Sequence, residues 1–303
     1  MIYECNTTTY RSILVVRPGA LGDTILAFTL TRTLHGLHPD ARITFLGTGR
    51  YREIAPQYID YRSVDHRDWT PLFAASAEGA FSPPVSRFDT AFVVMNRPEN
   101  VMERLNDLVD GEVRCGPSTP TGGRHVVKFM HEGLGLPLPE KAAVLDHLST
   151  PDRAPLIWLH PGSGGAKKCL PLNITASLAD SLKRETGWAL GISLGEEDAF
   201  LTDHPHWERL ARLCDGPMVR GESLSSLCRV MGNAGLYVGN DSGISHLAAG
   251  MGIPAIVCFR TTDPVVWSPW VPDASVRVVD CRGEGIGGVV RGVLFACAQL
   301  TLK

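Results

Sequence analysis

The run Gly239-Asn240-Asp241-Ser242-Gly243-Ile244-Ser245-His246 packs a carboxylate, hydroxyls and an imidazole into a tight turn between two apolar segments, 236–238 and 254–259. That order reads strand, turn, helix, strand. A helix starting at Ser242 or Gly243 aims free backbone N–H groups and the positive end of its dipole at whatever lies above the turn. Such a cradle suits phosphate, and Gly243, without a side chain, would let a ligand approach the backbone. A turn near the N-terminus has the same form. There the apolar segment 13–16 leads into Arg17-Pro18-Gly19-Ala20-Leu21-Gly22-Asp23, and Leu26, Leu30, Leu34 and Leu37 follow at helical spacing. Asp23 thus falls at a helix N-terminus, where it can serve as a cap or, paired with the distant Asp-Ser-Gly turn, as a group that does chemistry.

A third loop, His160-Pro161-Gly162-Ser163-Gly164-Gly165-Ala166-Lys167-Lys168, follows the strand-like segment 156–159. It has neither the G-K-[ST] ending of a Walker loop nor the dinucleotide fingerprint G-x-G-x-x-G. Backbone N–H groups and a lysine can still hold a diphosphate, although a glycine-rich surface turn would look the same. His160 fits a polar strand end as well as a catalytic role. Gly195-Glu196-Glu197-Asp198 opens a helix after a strand at 188–194. Carboxylates there complement the helix dipole, and their place at the carboxyl end of a strand also suits ribose hydroxyls. The spacing of His, Cys and carboxylates matches no metal motif, so Lys, Arg and helix dipoles would have to neutralise a diphosphate.

The elements that must position these groups alternate between strand and helix along all 303 residues. Strands are expected at 13–16, 43–46 and 90–95 and helices at 24–37, 99–109 and 124–135, the last ending at Gly135. Over 61–88 the pattern breaks, with Pro71, Pro83 and Pro84 marking loops. The stretch 146–155 has linker composition, and beyond it come helices at 172–185, 197–213 and 223–232. A last helix near 286–300 sets Ile286, Val289, Val290, Val293, Leu294 and Cys297 on one face. Two tandem α/β domains, 1–150 and 151–303, account for this order, with the last helix a candidate to pack back on the first domain.

Hydrophobic residues make up 44% of the chain and charged ones 20%, which is ordinary for a globular protein and excludes disorder. A net charge of −3 argues against nucleic-acid binding. The eight cysteines are scattered without a Cys-x-x-Cys, the spacing of reduced thiols in a cytoplasmic protein. The first residues carry no signal-peptide pattern, and no apolar run is long enough to span a membrane, so at most peripheral membrane contact is expected.

Taken together, Val16-Arg17-Pro18-Gly19-Ala20-Leu21-Gly22-Asp23, His160-Pro161-Gly162-Ser163 with Lys168 and Pro171, the Asp241-Ser242-Gly243 run, and Phe259-Arg260-Thr261-Thr262-Asp263-Pro264 occur in that order. This combination resembles glycosyltransferase family 9, the heptosyltransferase-like family, from about residue 12 to 272. The resemblance implies the GT-B fold, two Rossmann-like domains facing across a cleft, with the nucleotide-sugar donor on the second and the acceptor on the first. It implies Asp23 as general base. Lys168, Asp241, Ser242 and Gly243 become the expected diphosphate and sugar contacts, Thr262 a neighbour of the phosphates and Glu197 a ribose partner. Ser163 and His246 join this donor set, and Arg17, Gly22 and Arg260 are candidate further contacts. The family's typical donor is ADP-heptose and its best-known acceptors are sugars of the lipopolysaccharide core; another glycan or a small molecule also fits. Cys169-Leu170 stand where the family often has an aromatic residue, and Arg260 stands in place of a glycine.

The expected activity is therefore inverting, metal-independent glycosyl transfer that needs no cofactor beyond the donor. Two other readings stay open at this point. A non-catalytic nucleotide-sugar-binding relative would be marked by loss of the aspartate at position 23. A nucleotide-sugar epimerase would share the architecture but needs a second acid/base set. An NAD-dependent oxidoreductase would require the missing dinucleotide fingerprint.

Overall fold

The computed structural model describes residues 9–73 and 87–300; Cys5, Pro83 and Pro84 lie outside them. The chain divides into two compact units. One comprises Met1–Gly19, Ala27–Pro120 and Val126–Pro139, and the other Ala20–Leu26, Thr121–His125 and Glu140–Lys303.

The first unit starts with β1 (Ser12–Val16), the part of α1 (Leu21–Leu37) from Ala27 onward, β2 (Arg42–Gly47) and β3 (Ile59–Ser63). It continues with β4 (Thr90–Val94), α2 (Glu99–Leu105), β5 (Val113–Gly116) and α3 (Val126–Gly133). All strand pairs are parallel, in the order β3-β2-β1-β4-β5. β1 and β4 run through the middle of the sheet, where both faces are covered, so nearly every residue is apolar and buried. β3 and β5 sit at the edges and carry charge, Ile59-Asp60-Tyr61-Arg62-Ser63 and Val113-Arg114-Cys115-Gly116. That mixture hides an edge strand from a hydrophobicity reading.

The second unit contains β6 (Ala154–His160), α4 (Leu172–Thr186), β7 (Ala189–Leu194), α5 (Trp207–Leu213), β8 (Met218–Arg220) and α6 (Leu224–Met231). After these come β9 (Ala234–Asn240), α7 (Gly243–Gly250), β10 (Ala255–Phe259), α8 (Pro264–Trp267), β11 (Val276–Asp280) and α9 (Ile286–Ala298). Its strands are also all parallel, ordered β11-β10-β9-β6-β7-β8. Counted from β6 this is the 3-2-1-4-5-6 order of the doubly wound nucleotide-binding fold. The core on one face joins Ile157, Leu159, Leu178, Leu182, Leu236 and Val238, and Val289 and Val293 of α9 close it. α9 lies against α4, β10 and β11.

Three expectations need correcting. The helix expected over 197–213 is a 3-10 turn, Glu196–Leu201, followed by the separate α5. Pro205 explains the break, since it lacks a backbone donor and pushes His204 out of the helical region. α2 ends at Leu105, short of 109. On α9, Ile286 is exposed while Val289, Val293 and Cys297 are buried, so the apolar stripe is narrower than its sequence pattern.

Candidate active site

In a doubly wound sheet the chain leaves its two central strands in opposite directions, and ligands bind outside their carboxyl ends. In the second unit those strands are β6 and β9, paired from Ile157↔Leu236 to His160↔Gly239. The loops that follow them are the glycine-rich turn His160–Gly165 and the Asp-Ser-Gly turn, 160–165 and 241–243. Topology thus brings together two segments some 80 residues apart in the chain.

Buried polar groups fix these loops to each other. The Asn240 amide donates to the Pro161 carbonyl (2.8 Å), and its oxygen accepts the Leu170 N–H (3.0 Å). The Ser163 hydroxyl donates to the Asp241 carbonyl at 2.7 Å. Asp198, buried at the start of the 3-10 turn, accepts from Ser163 N (3.1 Å) and Gly195 N (2.8 Å) and lies 3.6 Å from His160 Nε2. A Cβ on Gly162 would fall 2.0 Å from the Asp198 carboxyl carbon, so glycine is required there. Gly164 and Gly165 have open space around them. The glycine-rich loop is therefore a wired anchor at its start and an open turn at its end.

Asp241 is the hub. It is 5% exposed, and its Oδ2 accepts from the Lys168 ammonium at 2.8 Å and the Thr262 hydroxyl at 2.6 Å. Lys168 ends the one-turn helix Ala166–Lys168 and Thr262 follows β10, so the carboxylate that follows β9 gathers side chains from the loops after two other strands, β6 and β10. Ser242 caps α7, its Oγ accepting the Ser245 N–H at 3.3 Å. The Ser245 hydroxyl donates to the Asn240 carbonyl (2.5 Å) and meets the Tyr237 hydroxyl at 3.0 Å.

The first turn of α1 belongs to this unit and packs on α7. A Cβ on Gly243 would lie 2.7 Å from Leu21 Cβ and 3.1 Å from Gly22 N, and one on Gly22 would lie 3.1 Å from the His246 ring. The space beside Gly243 that the sequence suggested for a ligand is thus filled by the protein's own helix. Asp23, two residues past Leu21, accepts the Ala20 N–H at 3.2 Å, a capping bond at the start of α1. The same turn carries Asp23 close enough to His246 for their charges to interact. Burial pushes the His246 imidazole down to about 4, against the pull of Asp241 and Asp23. It is a neutral ring among two carboxylates, Lys168 and His125.

Among the sequence candidates, Asp23, Gly22, Lys168, Asp241, Ser242, Gly243, His246 and Thr262 gather at this corner. Ser163 is buried beneath it with its hydroxyl directed at Asp241. Glu197 is exposed on the 3-10 turn, next to the buried Asp198. Arg17 lies in the first unit, donating to the Pro18 carbonyl at 2.8 Å. Arg260 donates to the carbonyls of Cys169 (2.9 Å) and Lys167 (3.4 Å) rather than to Asp263, whose carboxylate caps α8. Sequence reasoning gave Asn240 no role of its own and placed Asp198 only among the carboxylates of the 196–198 turn, and it passed over His125, whose Nε2 lies 2.8 Å from the Ser268 carbonyl. Asn240 carried the signal of a polar residue at the end of a buried strand and Asp198 that of a carboxylate in a first helical turn, whereas His125 had none. Among the described residues no group of three or more His, Cys, Asp or Glu side chains is placed to hold a metal ion, and no helix is long and apolar enough to cross a membrane.

A family model described as glycosyltransferase family 9 (heptosyltransferase) matches residues 129–283. No curated protein matches the sequence. Solved structures do match. Escherichia coli heptosyltransferase WaaC with ADP aligns at a TM-score of 0.69 and 17% identity, over 95% of this chain and 99% of that one. A glycosyl transferase family 9 protein from Veillonella parvula gives 0.64 and 18%, over 94% and 91%. The Escherichia coli ADP-heptose lipopolysaccharide heptosyltransferase II gives 0.61 and 19%, over 95% and 99%. At these identities the likeness speaks for the fold.

Proposed function

Because the chain belongs to glycosyltransferase family 9 and is a glycosyltransferase, we propose that it moves a heptose from ADP-heptose to an acceptor hydroxyl, with inversion and without a metal. The acceptor is a lipopolysaccharide core sugar held by the first domain, and the donor is held by the second. Work in the cytoplasm fits the seven described cysteines, all of them free thiols. One observation carries the reading: the Asp241 carboxylate holds Lys168 and Thr262 together, beside a helix turn that bears Asp23.

The roles follow from that arrangement. The acceptor oxygen attacks the anomeric carbon while the bond from that carbon to the diphosphate breaks, and its electrons leave on the phosphate oxygen. Asp23 takes the acceptor proton as the new bond forms. Lys168, Thr262 and the N–H groups at the start of α7 receive the leaving ADP. Negative charge grows chiefly on the diphosphate, so fixed positive groups there lower the barrier more than the base does. Glu197 binds the ribose hydroxyls from the 3-10 turn, and His246, kept neutral by burial, offers hydrogen bonds to the sugar without adding charge.

The test is a donor panel followed by a transfer assay. ADP-heptose is expected to raise the unfolding midpoint in proportion to RT ln(1 + [L]/Kd), and UDP- and GDP-sugars to leave it unchanged. With a core oligosaccharide, NMR of the product should show the anomeric configuration opposite to the donor's. Stabilisation by a UDP-sugar alone, or retention of configuration, would replace this reading.

A further inference from the structure

We infer that Arg260 is a positioning residue that pins the Lys168 loop so that its ammonium stands ready for the donor diphosphate, an inference that rests on the donor site proposed above. The loop needs such a pin. Upstream it is anchored at Ser163, bonded to Asp198 and Asp241, and downstream at Leu170, bonded to Asn240. Between these anchors, residues 164–167 are exposed, and a Cβ on Gly164 or Gly165 would meet no neighbour. The backbone bonds there are local to the turn: Lys168 N donates to the Gly165 carbonyl at 2.9 Å and Cys169 N to the Ala166 carbonyl at 3.2 Å, with the Cys169 thiol 3.9 Å from the Gly165 carbonyl. The Lys168 side chain is 38% exposed, and its bond to the buried Asp241 carboxylate fixes the ammonium at the tip of the side chain, not the backbone of the loop.

The Arg260 Nη1 group supplies the missing constraint. It donates to the carbonyls of Cys169 and Lys167, the two residues that flank Lys168. Arg260 in turn follows β10, whose Phe259 is fully buried, and stands two residues before Thr262. The guanidinium therefore ties the loop after β6 to the loop after β10. Lys168 and Thr262, which share one oxygen of Asp241, are held as one body. A glycine at this position could not make that link, and a planar, permanently charged donor is suited to carbonyls on an exposed turn.

The experiment combines a ligand-free measurement with a double-mutant cycle. In Arg260→Ala, amide hydrogen exchange at Lys168 and Cys169 should quicken while β6 and β9 stay protected. Unchanged exchange in the loop overturns the inference. Calorimetry with ADP is then run on the wild type, Arg260→Ala, Lys168→Ala and the double variant. Arg260→Ala should weaken ADP about three- to tenfold, in the lower part of the range of coupling between residues in one network, and have no further effect once Lys168 is gone. Fully additive losses would mean that Arg260 touches the diphosphate itself, which overturns the pin. If Lys168→Ala weakens ADP and Arg260→Ala does not, the pin alone falls. If Lys168→Ala leaves ADP binding intact, the proposed donor site is wrong and the inference falls with it.

Discussion

At the scale of single residues, Asp23 combines a structural and a chemical assignment in one carboxylate. Its bond to Ala20 N orients it at the first turn of α1, and asparagine can make that same bond. Asp23→Asn should therefore keep the unfolding midpoint and ADP affinity while turnover falls by roughly a hundred- to ten-thousand-fold, the usual contribution of a general base. Retained turnover would move the base elsewhere. His246 gives a prediction in pH. Its folded pKa, about 4, lies below the ordinary 6.5 because burial disfavours the imidazolium. Between those values the unfolded chain binds the proton and the native one does not, so stability rises with pH through that window and is fully present above it. The gap corresponds to about 3 kcal/mol. Chemical denaturation from pH 7 down to 4 should show wild type losing more stability than His246→Gln by an amount of this order. Parallel losses in the two proteins would remove His246 as the source.

At the scale of elements, the contact between α1 and α7 decides where Asp23 stands. Alanine is ordinarily better than glycine in a helix by about 1 kcal/mol. At Gly243 the new Cβ would meet Leu21 Cβ at 2.7 Å and the Gly22 nitrogen at 3.1 Å, and overpacking of that kind costs about 1–3 kcal/mol. Gly243→Ala is expected to lower the unfolding midpoint and to reduce turnover more than ADP affinity, since the turn that bears Asp23 has to shift. Gly164→Ala, with nothing within 4 Å, is the matched control and should leave both unchanged. If the two variants behave alike, the α1–α7 contact is looser than these distances imply.

At the scale of the whole molecule, the chain builds two parallel sheets, ordered β3-β2-β1-β4-β5 and β11-β10-β9-β6-β7-β8, and in such sheets ligands bind outside the carboxyl ends of the central strands. In the second unit the loops at those ends carry Lys168 and the N–H groups that start α7, which in the proposed reading neutralise the leaving diphosphate. Transferase activity should accordingly survive prior treatment with EDTA and show no gain on adding magnesium or manganese. Complete loss on chelation, restored by a divalent ion, would assign the leaving diphosphate to a metal instead.

The sequence by itself determined the class of the fold, because central parallel strands such as 13–16 and 236–238 are apolar throughout and sit between helical periodicities. It also marked the turns at Asp23, Ser163, Lys168 and Asp241, since residues that cap helices and cradle phosphates are few in kind. What it left open were matters of distance between segments. β8 and β11 are edge strands with mixed polarity and carry no pattern of their own. The reason for glycine at 162 and 243 is a neighbour, Asp198 in one case and Leu21 in the other, that lies far off in the chain. The partner of Arg260 is a pair of carbonyls, which have no letter in a sequence. Local propensity is written residue by residue, whereas these contacts exist only once the strand order of the sheet has brought their loops to one edge.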